Sequence, residues 1–437
     1  MDVRQVFEGK KITVMGLGLL GRGVGDARFL AQQGAILTIT DLKTAQELES
    51  SLAQLEEFSN ITYVLGEHRL EDFRDRDFIL KAAGVPLDSV YIAEAESAGI
   101  PIKMSASWFM ELSGLPVVGV TGTRGKSTVT HMLHNIMRSA EIPVVLGGNV
   151  RGVSTLALLD TVTPDHHALF ELDSWQCQGF GDAKLSPQLS VFTTFMSDHM
   201  NYYHDSMERY LADKANIFLY QTPEDTLVLG AQCAELVTDA YPEGMAAHVV
   251  VASGHDFRED WTLQIPGEHN RYDAALAVEA ARALYIDDEI IKEALELFTG
   301  VPGRLQKIRT RNGVDFYNDT TATTPDATIA AIEALPEGKV VLIMGGADKG
   351  LDVEKLMQIV SQKVKSIVFL AGSGTERVRH LFPQAPVCET LSEAVTVAAS
   401  RASEGDSVVL SPAFASFGMF KNEYDRGDQF DTLIKNL

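Results

Sequence analysis

The residues of this sequence best placed to do chemistry lie in Gly119-Val120-Thr121-Gly122-Thr123-Arg124-Gly125-Lys126-Ser127-Thr128, directly after the apolar run Leu115 to Val118. Apolar residues then recur at Val129, Met132, Leu133, Ile136 and Met137, the spacing of one helix face. The stretch therefore reads as a buried strand, a glycine-rich loop and a helix. Glycines let backbone N–H groups approach phosphate oxygens, Lys126 can reach the outer phosphates, and the Ser127 hydroxyl can hold a magnesium ion at the helix N-terminus. The strict phosphate-loop spacing asks for glycine where Val120 stands. The expectation of a nucleotide phosphate cradle thus rests on the Gly-Lys-Ser end and its context. The competing reading is a glycine-rich turn with a solvated lysine.

Four further positions carry chemistry. Glu171 sits near the C-terminal end of an expected strand, His167 to Leu172, where open α/β sheets place ligands, and is a metal-ligand candidate. His199 lies in Ser197-Asp198-His199-Met200-Asn201, just past the apolar run Leu189 to Thr194; it is a ligand or catalytic candidate, or a satisfied structural histidine. Lys214 shares one helical face with Met207, Tyr210, Leu211, Ile217 and Phe218. On that buried stripe an unpaired ammonium is costly, so it needs a partner or a modification, or else it snorkels to solvent. Gly147-Gly148-Asn149 is a turn that puts an amide beside the phosphate loop.

The elements that must hold these residues alternate along the chain. Lys11 to Met15, Gly16-Leu17-Gly18-Leu19-Leu20-Gly21, a helix over Val24 to Gln33 and a strand from Ile36 to Thr40 ending at Asp41 form a strand–helix–strand unit with dinucleotide-type glycine spacing. Those glycines serve a nucleotide site, or only a tight turn and helix–sheet packing. A strand over Asp77 to Ala82 and a helix near Val90 to Ala98 follow, and a small-residue helix over Asp273 to Ala283 comes after Gly267-Glu268-His269-Asn270. Strand ends at Gly345-Gly346, Gly372-Ser373-Gly374 and Ser411-Pro412 repeat the pattern near the C-terminus. The expected domains are 1–107, 108–303 and 304–437.

Composition bounds the function. A chain of 437 residues with 45% hydrophobic and 22% charged residues can bury a core in each of several domains. A formal charge of −23 argues against a nucleic-acid backbone or an anionic membrane as partner, so an anionic small ligand must be met by local cations. Cys177, Cys233 and Cys388 lack metal or disulfide spacing, and no apolar run reaches membrane-spanning length; the expectation is a cytoplasmic protein.

Taken together, the motifs resemble those of the Mur ligases, ATP-dependent amide-bond-forming enzymes of peptidoglycan assembly. The matching pieces are Gly119–Thr128, Glu171-Leu172-Asp173-Ser174-Trp175-Gln176, Asp198-His199-Met200, Lys214, His269-Asn270, Gly303-Arg304, Asn318-Asp319-Thr320-Thr321-Ala322-Thr323 and Leu410-Ser411-Pro412-Ala413. The resemblance implies an α/β fold of three domains: N-terminal Rossmann-like, a central P-loop ATPase-type mononucleotide-binding sheet, and C-terminal Rossmann-like. It implies ATP and magnesium as cofactors and a monomer acting on small molecules, joining an amino acid, expected to be D-glutamate, to UDP-N-acetylmuramoyl-L-alanine.

By the same resemblance Gly18, Leu19, Leu20, Asp41, Lys43, Gly84 and Asn149 would meet the UDP group, replacing the dinucleotide reading. Gly122, Thr123, Arg124, Gly125, Lys126, Ser127 and Thr128 would hold the ATP phosphates. Asn270, Arg304 and Asp319 would contact the nucleotide, and Thr323, Lys349 and Ser416 the incoming amino acid. Ser127 and Glu171 would ligate one magnesium; His199 and Lys214, as a carbamate, a second. Lys126, Glu171, His199 and Lys214 form the expected catalytic set.

The sequence departs from the pattern at Thr321, where such ligases usually carry Lys, at Asp273, where Asn is frequent, and in Trp175-Gln176-Cys177. The first departure puts the identity of the amino acid in question. A folylpolyglutamate-type or L-alanine-adding ligase is the nearest rival. A P-loop ATP-hydrolysing switch protein would explain residues 119–176 but not Lys214 or the last domain, and a nicotinamide oxidoreductase would explain the first glycine loop alone.

Overall fold

The computed structural model describes residues 3–18, 21–242 and 244–437. Three sheets form, each from short apolar strands that alternate with helices. The first comprises β1 (Lys11–Met15), β2 (Ile36–Asp41), β3 (Ile61–Leu65), β4 (Phe78–Lys81) and β5 (Ile102–Lys103) in the order β3-β2-β1-β4-β5, all parallel. Strand order reverses between β1 and β4, which opens a crevice beyond their C-terminal ends.

The second sheet holds β6 (Val117–Thr121), β7 (Val144–Gly148), β8 (His167–Glu171), β9 (Leu189–Phe192), β10 (Thr226–Gly230) and β11 (His248–Ala252) in the parallel order β11-β10-β9-β6-β8-β7. Strand β6 is wholly buried, as expected where helices cover both faces of a parallel sheet. The helix Lys126–Ser139 lays Val129, Met132, Leu133, Ile136 and Met137 into the core, and each is fully buried.

The third sheet contains β12 (Gln306–Arg311), β13 (Val314–Asn318), β14 (Val340–Gly345), β15 (Val364–Leu370), β16 (Val387–Cys388) and β17 (Ser407–Leu410) in the order β12-β13-β17-β14-β15-β16. It is mixed: β12 runs antiparallel to β13 at the edge, and the remaining pairs are parallel. The edge strand is mostly exposed and polar, so periodicity alone gave no sign of it.

Chain contacts divide the molecule into two compact units. One takes the chain up to Arg258 together with Tyr272–Ala294; the other takes Glu259–Arg271 and Leu295–Leu437. In the first unit one core runs through both sheets, with Phe7 edge-on to Trp108 at 5.1 Å and Phe109 edge-on to Phe170 at 5.5 Å, and a smaller one gathers Met15, Phe73, Ile79, Ala95 and Ile100. In the second unit Val340, Leu342 and Met344 of β14 enter one core while Val341 and Ile343 enter another, the two faces of a strand buried on both sides.

Some elements differ from their sequence reading: Gly147 and Gly148, read as part of a turn, close β7, and Ile217 and Phe218 lie past the end of the helix Met207–Ala215. The helix expected from Asp273 runs Glu268–Ala283, so His269 and Asn270 lie in its first turn instead of before it. Gly267, at φ +107°, turns the chain into the helix, and Glu268 suits the positive end of its dipole. No helix among the described residues is long and apolar enough to cross a membrane.

Candidate active site

The loop after β6 is held open by its neighbours. The Thr123 N–H donates to the Thr194 carbonyl at 2.7 Å, the Arg124 N–H to Thr194 Oγ1 at 2.9 Å, and Thr193 Oγ1 donates to the Arg124 carbonyl at 2.5 Å. Gly122 and Gly125 both have positive φ. A Cβ on Gly122 would fall 2.0 Å from Thr193 Oγ1, and one on Gly125 2.4 Å from Asp273 Oδ1. Thr193 and Thr194 were not singled out from the sequence; their position at the end of β9, next to β6, was the available signal.

Two ammonium groups converge beneath this loop. Lys126 Nζ donates to the carbonyls of Gly122 at 3.0 Å and Thr123 at 3.1 Å. Lys214 Nζ donates to the same Gly122 carbonyl at 2.8 Å and to Thr121 Oγ1 at 3.4 Å. Lys214 is 1% exposed, on the helix Met207–Ala215, so it does not snorkel. Burial and then the charge of Lys126 hold its amine down at about 7. Tyr210 offers its ring face to Nζ at 4.9 Å, and the buried thiol of Cys177, pushed up to about 12 by desolvation, stays protonated beside Thr121.

Glu171 ends β8 and is 4% exposed. Its Oε1 accepts from Asn149 Nδ2 at 3.2 Å, its carbonyl accepts the Asn149 N–H at 2.6 Å, and Asn149 Oδ1 accepts from Arg22 at 2.6 Å. The helix Ser174–Ala183 begins at once, capped by Asp173, which accepts the Gln176 N–H at 2.8 Å while Gln176 Oε1 accepts the Asp173 N–H at 3.2 Å. His199 has φ +54° and its ring packs at a tilt of 48° against Trp175, centroids 4.6 Å apart, with its Nε2 3.8 Å from Asp198 Oδ2. Burial lowers its pKa, opposed by Asp198. Asp198 also pairs with Arg124 at 3.3 Å, which ties the histidine segment to the loop after β6.

Ser127 is buried, and Thr128 follows it in the first helical turn. The oxygens of Ser127 and Glu171 are donors suited to magnesium, which binds few protein ligands and keeps waters. The pair His199 and Lys214 is not, while Lys214 is an ammonium. Among the described residues no group of three or more His, Cys, Asp or Glu could hold a metal.

Beyond the C-terminal ends of β1 and β4 lies a cavity of about 650 Å³, lined by Gly18, Asp41, Lys43, Lys81, Gly84 and Gln176 among others. Asp41 faces the glycine loop: Oδ2 accepts the N–H groups of Leu17 at 2.9 Å and Gly18 at 3.1 Å, and Oδ1 that of Lys43 at 2.9 Å. Asn149 reaches this region through Arg22, which lines the cavity. Leu19 and Leu20 lie outside the described residues.

The second unit gathers the remaining candidates at strand ends of its own sheet. Asp319, after β13, accepts from Ser411 Oγ at 2.6 Å and from the Leu305 N–H at 2.9 Å. Burial raises its pKa to about 7 against the pull of those bonds and of Arg304, which is exposed. Lys349 Nζ donates to Thr323 Oγ1 at 3.0 Å. Buried Ser416 follows Ala415, which pairs with Ala347, so its segment runs beside the Lys349 loop. Thr321 Oγ1 donates to the Gly303 carbonyl at 2.8 Å and so holds that turn. Asn270 Nδ2 donates to the Pro266 carbonyl at 2.6 Å, within the same unit.

Three family models match successive parts of the chain: "Mur ligase MurD-like, N-terminal domain" over residues 10–104, "Mur ligase middle domain" over 120–259, and "Mur ligase, glutamate ligase domain" over 303–414. A protein of Roseiflexus sp. (strain RS-1) named UDP-N-acetylmuramoylalanine--D-glutamate ligase is 36% identical over 98% of this chain and 99% of its own. The fold is shared with UDP-N-acetylmuramate-alanine ligase of Thermotoga maritima, at 19% identity and a TM-score of 0.60 over 98% of this chain and 99% of the other. It is also shared with Mycobacterium tuberculosis folylpolyglutamate synthase, crystallised with ADP and AMPPCP, at 15% identity and a TM-score of 0.56 over 75% and 94%.

Proposed function

The chain belongs to the Mur ligase family, and from that premise we infer that it catalyses the ATP-dependent addition of D-glutamate to UDP-N-acetylmuramoylalanine in peptidoglycan precursor synthesis. The observation that carries the reading is the convergence of Lys126 and Lys214 on the Gly122 carbonyl. Lys126 supplies positive charge at a loop whose glycines and N–H groups suit phosphates, and the crowding favours a Lys214 amine free to be modified. The reaction joins phosphoryl transfer from ATP to a substrate carboxylate with capture of the resulting acyl phosphate by an amine.

Lys126 and the loop N–H groups stabilise the charge that builds on the transferred phosphoryl group. Gly122, Thr123, Arg124, Gly125, Ser127 and Thr128 shape that cradle, and Ser127 and Glu171 would hold a magnesium ion, whose role is to neutralise phosphate charge. His199 and Lys214 would hold a second once the Lys214 amine carries a carbamate, because that change replaces a repelling cation by an oxygen donor. Gly18, Asp41, Lys43, Gly84 and Asn149 form the UDP site, with Asp41 shaping its glycine loop. Asn270, Arg304 and Asp319 serve the nucleotide, and Thr323, Lys349 and Ser416 orient the amino acid. The protein acts in the cytoplasm as a monomer, with residues 1–107, 108–303 and 304–437 carrying the UDP, ATP and amino-acid functions.

An amino-acid panel tests the substrate. With ATP and UDP-N-acetylmuramoyl-L-alanine, D-glutamate should support phosphate release and a product heavier by one glutamyl residue. A clear preference for another amino acid would overturn the assignment.

A further inference from the structure

The cavity beyond β1 and β4 must accept a diphosphate if it is the UDP site, and three backbone N–H groups of its glycine loop are already used within the protein. In the glycine loop the Gly16 N–H donates to the Thr40 carbonyl at 2.8 Å, and the N–H groups of Leu17 and Gly18 donate to Asp41. These backbone donors, which a glycine loop can otherwise turn toward an anion, are already engaged. Of the cations lining the cavity, Arg22 gives one of its five N–H donors to Asn149, and Lys43 stands past the end of β2, on the other side of β1 from β4.

Lys81 is different. It closes β4 with its Cα in register with Met15, the residue before the glycine loop, so it stands at the point where strand order reverses. Its Nζ donates to Gln178 Oε1 at 3.0 Å, and among the described residues no carboxylate forms an ion pair with it. An ammonium has three donors, so two are left for a ligand. Gln178 is itself fixed, its Nε2 donating to Tyr202 Oη at 3.1 Å and to Asp213 Oδ2 at 2.8 Å. Lys81 is half-buried; desolvation lowers its pKa, the charges of Asp182, Asp213 and Glu96 oppose that only in part, and an incoming dianion at the cavity side would favour its charged form further.

We propose that Lys81 is the cation that binds the diphosphate of the UDP-linked substrate, aimed by Gln178. The assignment rests on the reading of this cavity as the UDP site. It gives the first unit a charged contact for that anion beside the glycine loop.

Calorimetric titration of UDP and of uridine into the full chain tests it, with Lys81→Met, Lys81→Gln and Lys81→Arg compared with wild type. Loss of one charged contact should weaken UDP binding by roughly 10- to 100-fold in the Met and Gln variants, with uridine binding unchanged and the Arg variant intermediate. In steady state, KM for UDP-N-acetylmuramoyl-L-alanine should rise in parallel while those for ATP and the amino acid hold. Equal weakening of UDP and uridine would reduce Lys81 to a structural role and overturn the proposal. So would unchanged UDP affinity, including the case in which the full substrate is weakened but UDP is not. Because Gln keeps the hydrogen-bonding reach without the charge, a Met variant that fails to fold does not stop the test. Failure of wild type to bind UDP at all would remove the reading of the cavity, and the proposal with it.

Discussion

Two ammonium groups sharing one carbonyl oxygen repel each other unless one is neutral, and at Lys214 burial and Lys126 together favour the neutral amine. Near pH 7 about half of an amine with such a value is unprotonated, against well under ~0.1% of an ordinary lysine. Carbon dioxide adds only to the neutral form, releasing a proton and leaving an anion. Lys214→Ala should therefore lose most activity, and a short carboxylate supplied in solution should partly restore it while doing nothing for Lys126→Ala. The sign with pH follows: acid protonates the amine and blocks the carbamate, so wild-type kcat should fall as pH drops below about 7. Rescued Lys214→Ala should lack that limb. An acid limb identical in both would remove Lys214 from the pH profile. Lys126→Ala and Glu171→Ala should each cost ~10²–10³ in rate or more with an unchanged melting curve, since each removes charge stabilisation from the transferred group; near-normal turnover in either would exclude it from the chemistry. Lys214 was legible because a charged residue broke an apolar helical stripe. Its partner, the Gly122 carbonyl, was not, because a backbone acceptor contributed by another element leaves no trace in side-chain periodicity.

At the scale of elements, β6, its loop and the helix Lys126–Ser139 work as one piece whose geometry depends on glycine. Gly125 has φ +86°, a region that costs an L-residue ~1–2 kcal/mol, and a Cβ there would also displace Asp273. Gly125→Ala should lower the melting temperature by a few degrees and weaken ATP binding by more than that loss of stability accounts for, as calorimetry and thermal melts can separate. Equal affinity in the variant would show that the loop tolerates a side chain. Strand and helix were readable here from an apolar run followed by a 3.6-residue repeat. The edge strand β12 was not, because Gln306–Arg311 is mostly exposed and its place depends on pairing with β13. Likewise the start of Glu268–Ala283 was placed late, because its first turn carries polar residues that the apolar pattern does not reach.

At the scale of the whole molecule, Lys126, Glu171 and Lys214 belong to one compact unit and Asp319, Thr323 and Lys349 to the other. A ligase that couples ATP use to amide formation should not turn over ATP idly. Phosphate release with ATP alone, or with either co-substrate alone, should be at least ~100-fold slower than with both UDP-N-acetylmuramoyl-L-alanine and D-glutamate. Comparable release without them would favour a simple ATP-hydrolysing switch. The sequence by itself determined the α/β class, the strand–loop–helix unit around Gly119–Thr128, the anomaly at Lys214 and the family, because glycine spacing, helical periodicity and the order of short motifs are local properties of a chain. Only the tertiary structure decided that Asp41 turns its carboxylate onto the glycine loop, that Thr193 and Thr194 hold the loop after β6 open, and that Lys81 meets Gln178 97 residues away. Those facts depend on which strands lie side by side, and strand order in a sheet is set by packing between segments that are remote in sequence.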